Sequence, residues 1–512
     1  MTRVLEIHGT HLARNTALNL VGQVVPIMVG VATIPYVVRG LGTDRFGVLS
    51  LAWALLGYVS LFDLGLGRAT TKFVAEGLGR GELEQLPGLV WTSLGFQFLF
   101  GIAGAFLVAA LTPLLVGKVL KIPPALLAET KTSFFILAAA LPVVVATNGF
   151  RGVLEAAQRF DWVNYVKVPA NVAVFLLPAV ALPFGLKLRG IVFLLILARV
   201  GATLAYLGLC LKQFPALGQS FLFDSRLLRP ILAYGSWITV SSVVGPVLLY
   251  GDRFLIGSML SMTAVTYYTV PFEVITRVWI FPMSLVATLF PAFSTLGGSG
   301  AGERLAILYA RSVKALLLIL GPPVLLVVVY ASTILRLWLG AEFAQKSTLV
   351  LQILAIGVLI GSIAMVPFSL LQGLGRPDLT AKFHLLELPI YALLAWYLVP
   401  GIGIAGAATA WTLRLALDAF LLFGASRWLR FISQRALIES GVFRSSLALV
   451  AFGVVFLVPG LLGVAPRTQV LFALSVVSLF GLATWSLLLD RSEKELLGQA
   501  LSRIVATLSR AK

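Results

Sequence analysis

The chain has 512 residues, of which 59% are hydrophobic and 12% charged, and its mean hydropathy is +0.98. Soluble domains carry about 25% charged residues, so a water-soluble fold could not hide this much apolar surface, and lipid is the solvent for most of the chain. The net charge of +18 would suit nucleic acid, but no soluble segment presents a basic patch. Basic loops beside membrane spans account for the charge, and no nucleic-acid partner is expected.

The first residues, MTRVLEIHGTHLARN, are mixed and polar. No short apolar region with a small-residue cleavage site follows them, so the first apolar run is expected to span and stay. Apolar runs of about 18 or more residues read as membrane helices. In chain order they fall at roughly 15–38, 47–66, 86–116, 132–150, 162–185, 190–211, 230–257, 264–293, 305–333, 347–371, 383–399, 402–426, 442–463 and 468–489. Prolines within them are tolerated, because neighbouring helices re-satisfy the freed backbone groups. The runs are apolar on all sides, whereas barrel strands alternate. The expected fold is therefore an all-α polytopic membrane protein of about 14 transmembrane helices.

Short-loop lysines and arginines collect on the side of the N-terminus, among them Arg68, Lys72, Arg80, Arg151, Arg159, Lys212, Arg311, Lys314, Arg376 and Arg427. This asymmetry places both termini in the cytoplasm. Beyond the last span, Leu497, Leu501, Ile504, Val505 and Leu508 recur at helical spacing. Residues 490–512 read as an amphipathic cytoplasmic tail lying on the inner leaflet.

A repeat runs through the chain. LEAAQRFD (Leu154–Asp161) and LLQGLGRPD (Leu370–Asp378) each separate two spans, and Glu155, Arg159 and Asp161 fall opposite Gln372, Arg376 and Asp378. Gly190 falls opposite Gly406 and Arg199 opposite Arg414 at nearly the same offset. RGLGTDRFGVL (Arg39–Leu49) is loosely echoed by SMLSMTAVTYY (Ser258–Tyr268). A persistent offset marks two copies of one structural unit. The expected organisation is an N-terminal bundle over 1–212, a C-terminal bundle over 213–430, two further spans over 431–489, and the tail. Two six-helix bundles of even span number are related by a pseudo-two-fold axis along the membrane normal, an architecture of alternating-access transporters.

RGLGTDRFG (Arg39–Gly47) leading into YVSLFDLGLGRATTKFVAE (Tyr58–Glu76), GDRFLIG (Gly251–Gly257) and LLQGLGRPD (Leu370–Asp378) together resemble the polysaccharide flippases, the O-antigen and capsule translocases of the multidrug/oligosaccharidyl-lipid/polysaccharide exporter superfamily. The resemblance covers the whole chain. It implies translocation of an undecaprenyl-diphosphate-linked oligosaccharide across a bacterial cytoplasmic (inner) membrane, with membrane lipid as the other partner and protons or sodium as candidate coupling ions.

Ionisable groups inside spans are functional candidates. Arg199 sits near the middle of the sixth span with no carboxylate three or four residues away. Glu273 and Arg277, and likewise Arg414 and Asp418, stand four apart, a spacing suited to intrahelical ion pairs. Asp252 and Arg253 lie toward the outer end of the seventh span, Arg39 at the outer end of the first. Arginine stays charged and offers forked donors to phosphate oxygens, so a cavity lined by Arg199, Arg277, Arg414, Arg253 and Arg39 would lower the barrier to a lipid diphosphate. Asp63, roughly 24 Å along the second span at 1.5 Å per residue, lies near the inner headgroups within reach of Arg68 and Lys72. Gly65 and Gly67 beside it permit close helix approach. Asp63, Asp252, Glu273 and Asp418 are the gating or ion-coupling candidates, whereas Glu387, near an inner helix end, is expected to snorkel.

Other signals point away from enzyme chemistry. GIGIAG (Gly401–Gly406) matches a dinucleotide fingerprint but joins two membrane spans, where it reads as a tight turn with close helix packing. His8, His11 and His384 are scattered and Cys210 stands alone, so no metal site, disulfide or cofactor is expected. No long outer loop offers room for a glycan polymerase or ligase. The competing transport reading is a multidrug or small-solute antiporter of the same superfamily, for which unpaired acids in the cavity would be wanted. A monomer is expected, because each half supplies the other's partner.

Overall fold

The computed structural model describes residues 9–57, 63, 66–219, 221, 223, 228–298, 302–429, 440–461, 466–491 and 493–495. Its helices are α1 (Gly9–Leu41), α2 (Thr43–Gly57), α3 (Leu66–Arg80), α4 (Leu86–Leu114), α5 (Leu127–Ala156), α6 (Phe160–Ala181), α7 (Leu188–Gln213) and α8 (Leu228–Met259), then α9 (Met262–Ile275), α10 (Ile280–Gly298), α11 (Gly302–Leu339), α12 (Ala341–Gly373), α13 (Pro377–Trp428), α14 (Val442–Leu461) and α15 (Pro466–Ala483). Every apolar run picked out in the sequence has a helical counterpart here. The runs at 383–399 and 402–426 are the two limbs of α13, separated where Ile402 and Gly403 leave helical geometry.

Among the described residues, nine helices are long and apolar enough to cross a membrane. Phe106, Tyr165, Phe184, Leu393, Trp396 and Phe420 are all largely exposed, a density of bare apolar surface that a hydrocarbon solvent explains and water does not. The chain is an all-α polytopic membrane protein. Its hydroxyls follow from the same solvent. Ser50, Thr70, Thr112 and Ser362 each donate to the carbonyl four residues earlier, which satisfies them without water. One stretch departs from expectation: Leu66–Arg80, placed in a loop by its charges, is helical, because Leu66, Ala69, Thr70 and Val74 bury one face at helical spacing.

The chain divides into two units, one of residues 1–277 with 381–414, the other of 278–380 with 415–512. In the first, α1 packs on α6, α4 and α7 pack on α5, and α2 packs on α9. Its core gathers Val74, Val90, Leu94, Phe150, Val153 and Tyr206. In the second, α12 packs on α10 and α11, and α14 packs on α11, around Phe293, Leu316, Leu320, Leu370 and Phe480. At the start of the tail, Asp490 Oδ1 accepts from the Glu493 N–H at 2.8 Å and Glu493 Oε2 from the Asp490 N–H at 2.9 Å, a reciprocal helix cap. That cap is tied to α11 by Lys314, whose Nζ donates to Glu493 at 2.6 Å. The amphipathic stretch from Leu497 onward lies outside the described residues.

The repeat is visible in atomic detail. After α5, the Gln158 N–H donates to Glu155 O and the Arg159 N–H to Leu154 O; after α12, the Gly375 N–H donates to Gln372 O and the Arg376 N–H to Leu371 O. Both turns are Schellman caps, with φ of 57° at Gln158 and 75° at Gly375. Each is followed by a two-bond clasp, Arg159 to Asp161 at 3.1 and 3.1 Å and Arg376 to Asp378 at 3.0 and 3.3 Å. The two echoed segments, Arg39–Leu49 and Ser258–Tyr268, also touch. Thr43 and Thr263, 220 residues apart, bring their hydroxyls to 3.2 Å. Beside them Thr263 donates to Asp44 at 2.6 Å and Thr266 to the Thr43 carbonyl at 2.6 Å. These three bonds join α2 to α9.

Two substitutions test this packing. A Cβ on Gly47 would stand 2.1 Å from the Met262 carbonyl oxygen, so Gly47→Val should destabilise the purified protein by about 1–3 kcal/mol, read as a lower thermal midpoint in detergent. Gln158 holds a left-handed conformation that its repeat mate fills with glycine; Gln158→Gly should raise that midpoint, by about 1 kcal/mol of stability.

Candidate functional site

The ionisable residues singled out in the spans separate into three groups. Asp63, in the approach to α3, is buried, and its carboxylate accepts from the Gly67 N–H at 3.1 and 3.3 Å. It thus caps a helix start, where a carboxylate also suits the helix dipole. Of the expected partners, Arg68 is exposed yet near enough to act on the carboxylate through its charge, as Arg151 also does, and Lys72 pairs with Glu76 at 3.7 Å. The close approach at Gly67 is real. A Cβ there would stand 3.2 Å from Asn148 Cβ, and one on Gly152 would stand 2.9 Å from the Gly67 carbonyl, so α3 and α5 meet through glycine. Gly65 lies outside the described residues.

The second group is a buried ionic chain in the first unit, built from α8, α9 and the residues just after α9. Tyr268 donates its hydroxyl to Asp252 Oδ2, and Asp252 Oδ1 accepts from the Arg253 N–H at 2.7 Å. Arg253 Nη2 donates to Glu273 Oε1 at 2.7 Å, and Arg277 Nη2 donates to Glu273 Oε2 at 2.7 Å. The Glu273–Arg277 pair expected from spacing is therefore present, but its carboxylate is shared. Arg253, expected to line a cavity, has a side chain 0% exposed, stacked beside the Tyr250 and Phe272 rings with its guanidinium carbon 4.9 and 5.2 Å from their centroids. Burying a guanidinium so completely requires a counter-ion, and Glu273 supplies it. Arg277 is different: its side chain is 40% exposed, and its guanidinium lies 5.6 Å from the Phe175 ring. It belongs to a 3-10 stretch, Thr276–Trp279, between α9 and α10, the kind of irregularity that marks functional positions in membrane helices.

Glu387 and Arg414, on the two limbs of α13, form the companion pair. Arg414 Nη1 donates to Glu387 Oε2 at 3.2 Å. Two expectations are corrected here. Arg414 does not pair with Asp418 four residues on, and Glu387 does not snorkel but is 0% exposed. Gly403 at φ +65° turns the chain, and Gly406 lets the limbs close, since a Cβ there would stand 2.1 Å from the Leu398 carbonyl oxygen. The GIGIAG segment is thus a tight turn, and that turn sets Glu387 against Arg414. This pair neighbours the ionic chain: Phe272 meets Trp411 edge-on with centroids 5.1 Å apart. Arg199, on α7, is half-buried, and no ion pair forms to it among the described residues. Arg39, at the end of α1, is exposed, and Asp418 is half-buried in the second unit.

Arg277 and Glu273 border a small cleft whose other lining residues are Ile27, Gly30, Val31, Ile34, Phe175 and Val274. The half-exposed Arg277 fork there can meet an anionic group.

Against this geometry, the sequence profile of the polysaccharide biosynthesis protein family matches residues 12–296. A putative O-antigen transporter of Shigella flexneri is 30% identical over 80% of this chain and 96% of its own length. A probable low-salt glycan biosynthesis flippase, Agl15, of Haloferax volcanii is 26% identical over 76% of this chain and 78% of its own. Among solved structures, the lipid II flippase MurJ in an inward closed conformation superposes with a TM-score of 0.73 at 11% identity, covering 92% of this chain and 98% of that one. An inward-facing multidrug resistance MATE transporter gives 0.68 at 15% identity, covering 81% and 95%. The chain belongs to the polysaccharide biosynthesis protein family, and its fold resembles that of these two transporters.

The buried pair supplies a test. Glu387→Ala strands a buried guanidinium and should cost about 3–5 kcal/mol, whereas the double replacement Glu387→Leu with Arg414→Met should recover most of it. Thermal midpoints of the three proteins in one detergent decide the matter.

Proposed function

We infer that this chain is a flippase that carries a lipid-linked oligosaccharide, of the undecaprenyl-diphosphate type, between membrane leaflets by alternating access. The observation that carries the reading to particular residues is the Arg277 pocket. Its apolar lining suits a lipid stem, and its half-exposed fork suits phosphate oxygens, which apolar surroundings would otherwise leave poorly solvated. Its likenesses to proteins named as a putative O-antigen transporter, a probable glycan biosynthesis flippase and a lipid II flippase support the reading.

Of the arginines proposed to line a cationic chamber, the geometry favours two as substrate contacts. Arg277 presents an open side of its guanidinium, and Arg199 is half-buried on α7. Arg253 and Arg414 are enclosed with their counter-ions and serve the site from behind, while Arg39 lies at the end of α1. Among the coupling candidates, Asp252 and Glu273 have both carboxylate oxygens engaged. Asp63, bonded to one backbone N–H, keeps acceptor capacity for a proton or sodium ion. Translocation breaks no covalent bond, so no enzymatic step is required. With both termini in the cytoplasm of a bacterium, the Thr43–Thr263 contact lies toward the outer face of the inner membrane.

Reconstitution into proteoliposomes with a fluorescent polyprenyl-diphosphate oligosaccharide tests this. The chain should move the lipid to the outer leaflet, and Arg277→Ala should slow the movement at least about tenfold, the loss of one charge-assisted contact, with an unchanged melting profile. Export of cationic dyes without movement of the glycan lipid would establish the antiporter reading instead.

A further inference from the structure

We propose that Arg253 is a positioning residue whose task is to keep the charge of Arg277 available to the substrate. This rests on Arg277 being the diphosphate contact. The two oxygens of Glu273 are divided between the two arginines, each at 2.7 Å. Arg253 reaches Glu273 from α8 and cannot itself meet a ligand in the pocket, because its side chain is 0% exposed. Its place is fixed from both ends. Its backbone N–H is bound by Asp252, which Tyr268 holds in turn, and its planar head lies beside the Tyr250 and Phe272 rings.

The consequence is a matter of charge. Glu273 stands four residues before Arg277 on the same face, the spacing at which the two neutralise one another. Left alone with Arg277, the carboxylate would offer it both oxygens, and a guanidinium accepts such a fork in two parallel bonds. That pair would turn the fork inward and leave no open donor in the pocket. Arg253 prevents this by occupying one oxygen of the carboxylate and placing a positive charge beside it. Asp252 balances Arg253 in turn, so the chain as a whole is neutral, but Glu273 is shared and only Arg277 is accessible. An anionic head can dock on Arg277 without having to displace Glu273. Lysine at 253 would keep the charge and one donor, whereas methionine would keep only the length.

Binding of geranylgeranyl diphosphate to the purified full chain in lipid nanodiscs tests the proposal. Arg253→Met should weaken binding about tenfold, the scale of one charge-assisted hydrogen bond, although no contact with the ligand is removed. Arg253→Lys should stay within about threefold of the parent. The decisive protein is Arg253→Met combined with Glu273→Gln. It removes both buried charges, leaves Arg277 beside a neutral amide, and should restore binding to near the parental value. A double variant that binds as weakly as Arg253→Met, or an Arg253→Met protein that binds as tightly as the parent, overturns the proposal. Should Arg253→Met fail to fold, the double variant and Arg253→Lys decide it alone: both must bind near the parental value. Arg277→Gln serves as the control for the underlying reading. If it binds like the parent, Arg277 is not the diphosphate contact; if it loses binding while Arg253→Met does not, only the positioning role fails.

Discussion

Neutralising charge in a low-dielectric interior is the constraint on which this site depends. Arg253 and Arg414 are enclosed, and each is met by a carboxylate, Glu273 or Glu387. An unpaired guanidinium there would be strongly destabilising, whereas a paired one is close to break-even against apolar residues. Stability alone is therefore a weak reason for the pairs. In the proposed function they form a fixed electrostatic background for the half-exposed Arg277.

The same constraint governs the helices around the site. Hydroxyls return to the carbonyl one turn back, and the sharp break in α13 is made with glycine, where the two limbs close upon each other. That break performs chemistry indirectly. Glu387 and Arg414 are 27 residues apart in sequence and meet because Gly403 turns the chain and Gly406 removes the side chain that would hold the limbs apart.

The spans were legible in the sequence because lipid leaves a coarse, one-dimensional record: long apolar runs with basic residues between them. The repeat was legible at Arg159–Asp161 and Arg376–Asp378 because a clasp between near neighbours needs a fixed local spacing. So was the Glu273–Arg277 pair, which one helical turn dictates. The pairing of Arg414 was not, because its partner comes from the other limb and Asp418 offers the same local spacing. Nor was the sharing of Glu273, since Arg253 reaches it from a different helix. The Gln158–Gly375 correspondence escaped notice because the two side chains have nothing in common; only the left-handed backbone relates them. The cations near Asp63 follow partly from sequence, through Arg68, but its hydrogen-bond partner is a backbone N–H one turn ahead, which no side-chain pattern announces.

The seam between α2 and α9 is made of hydroxyls, from Thr43, Thr263 and Thr266, together with the Asp44 carboxylate. Bonds of this kind can be handed to water one at a time and remade. Parting these two helices would therefore strand no guanidinium, whereas parting Glu387 from Arg414 would leave a buried charge unmatched.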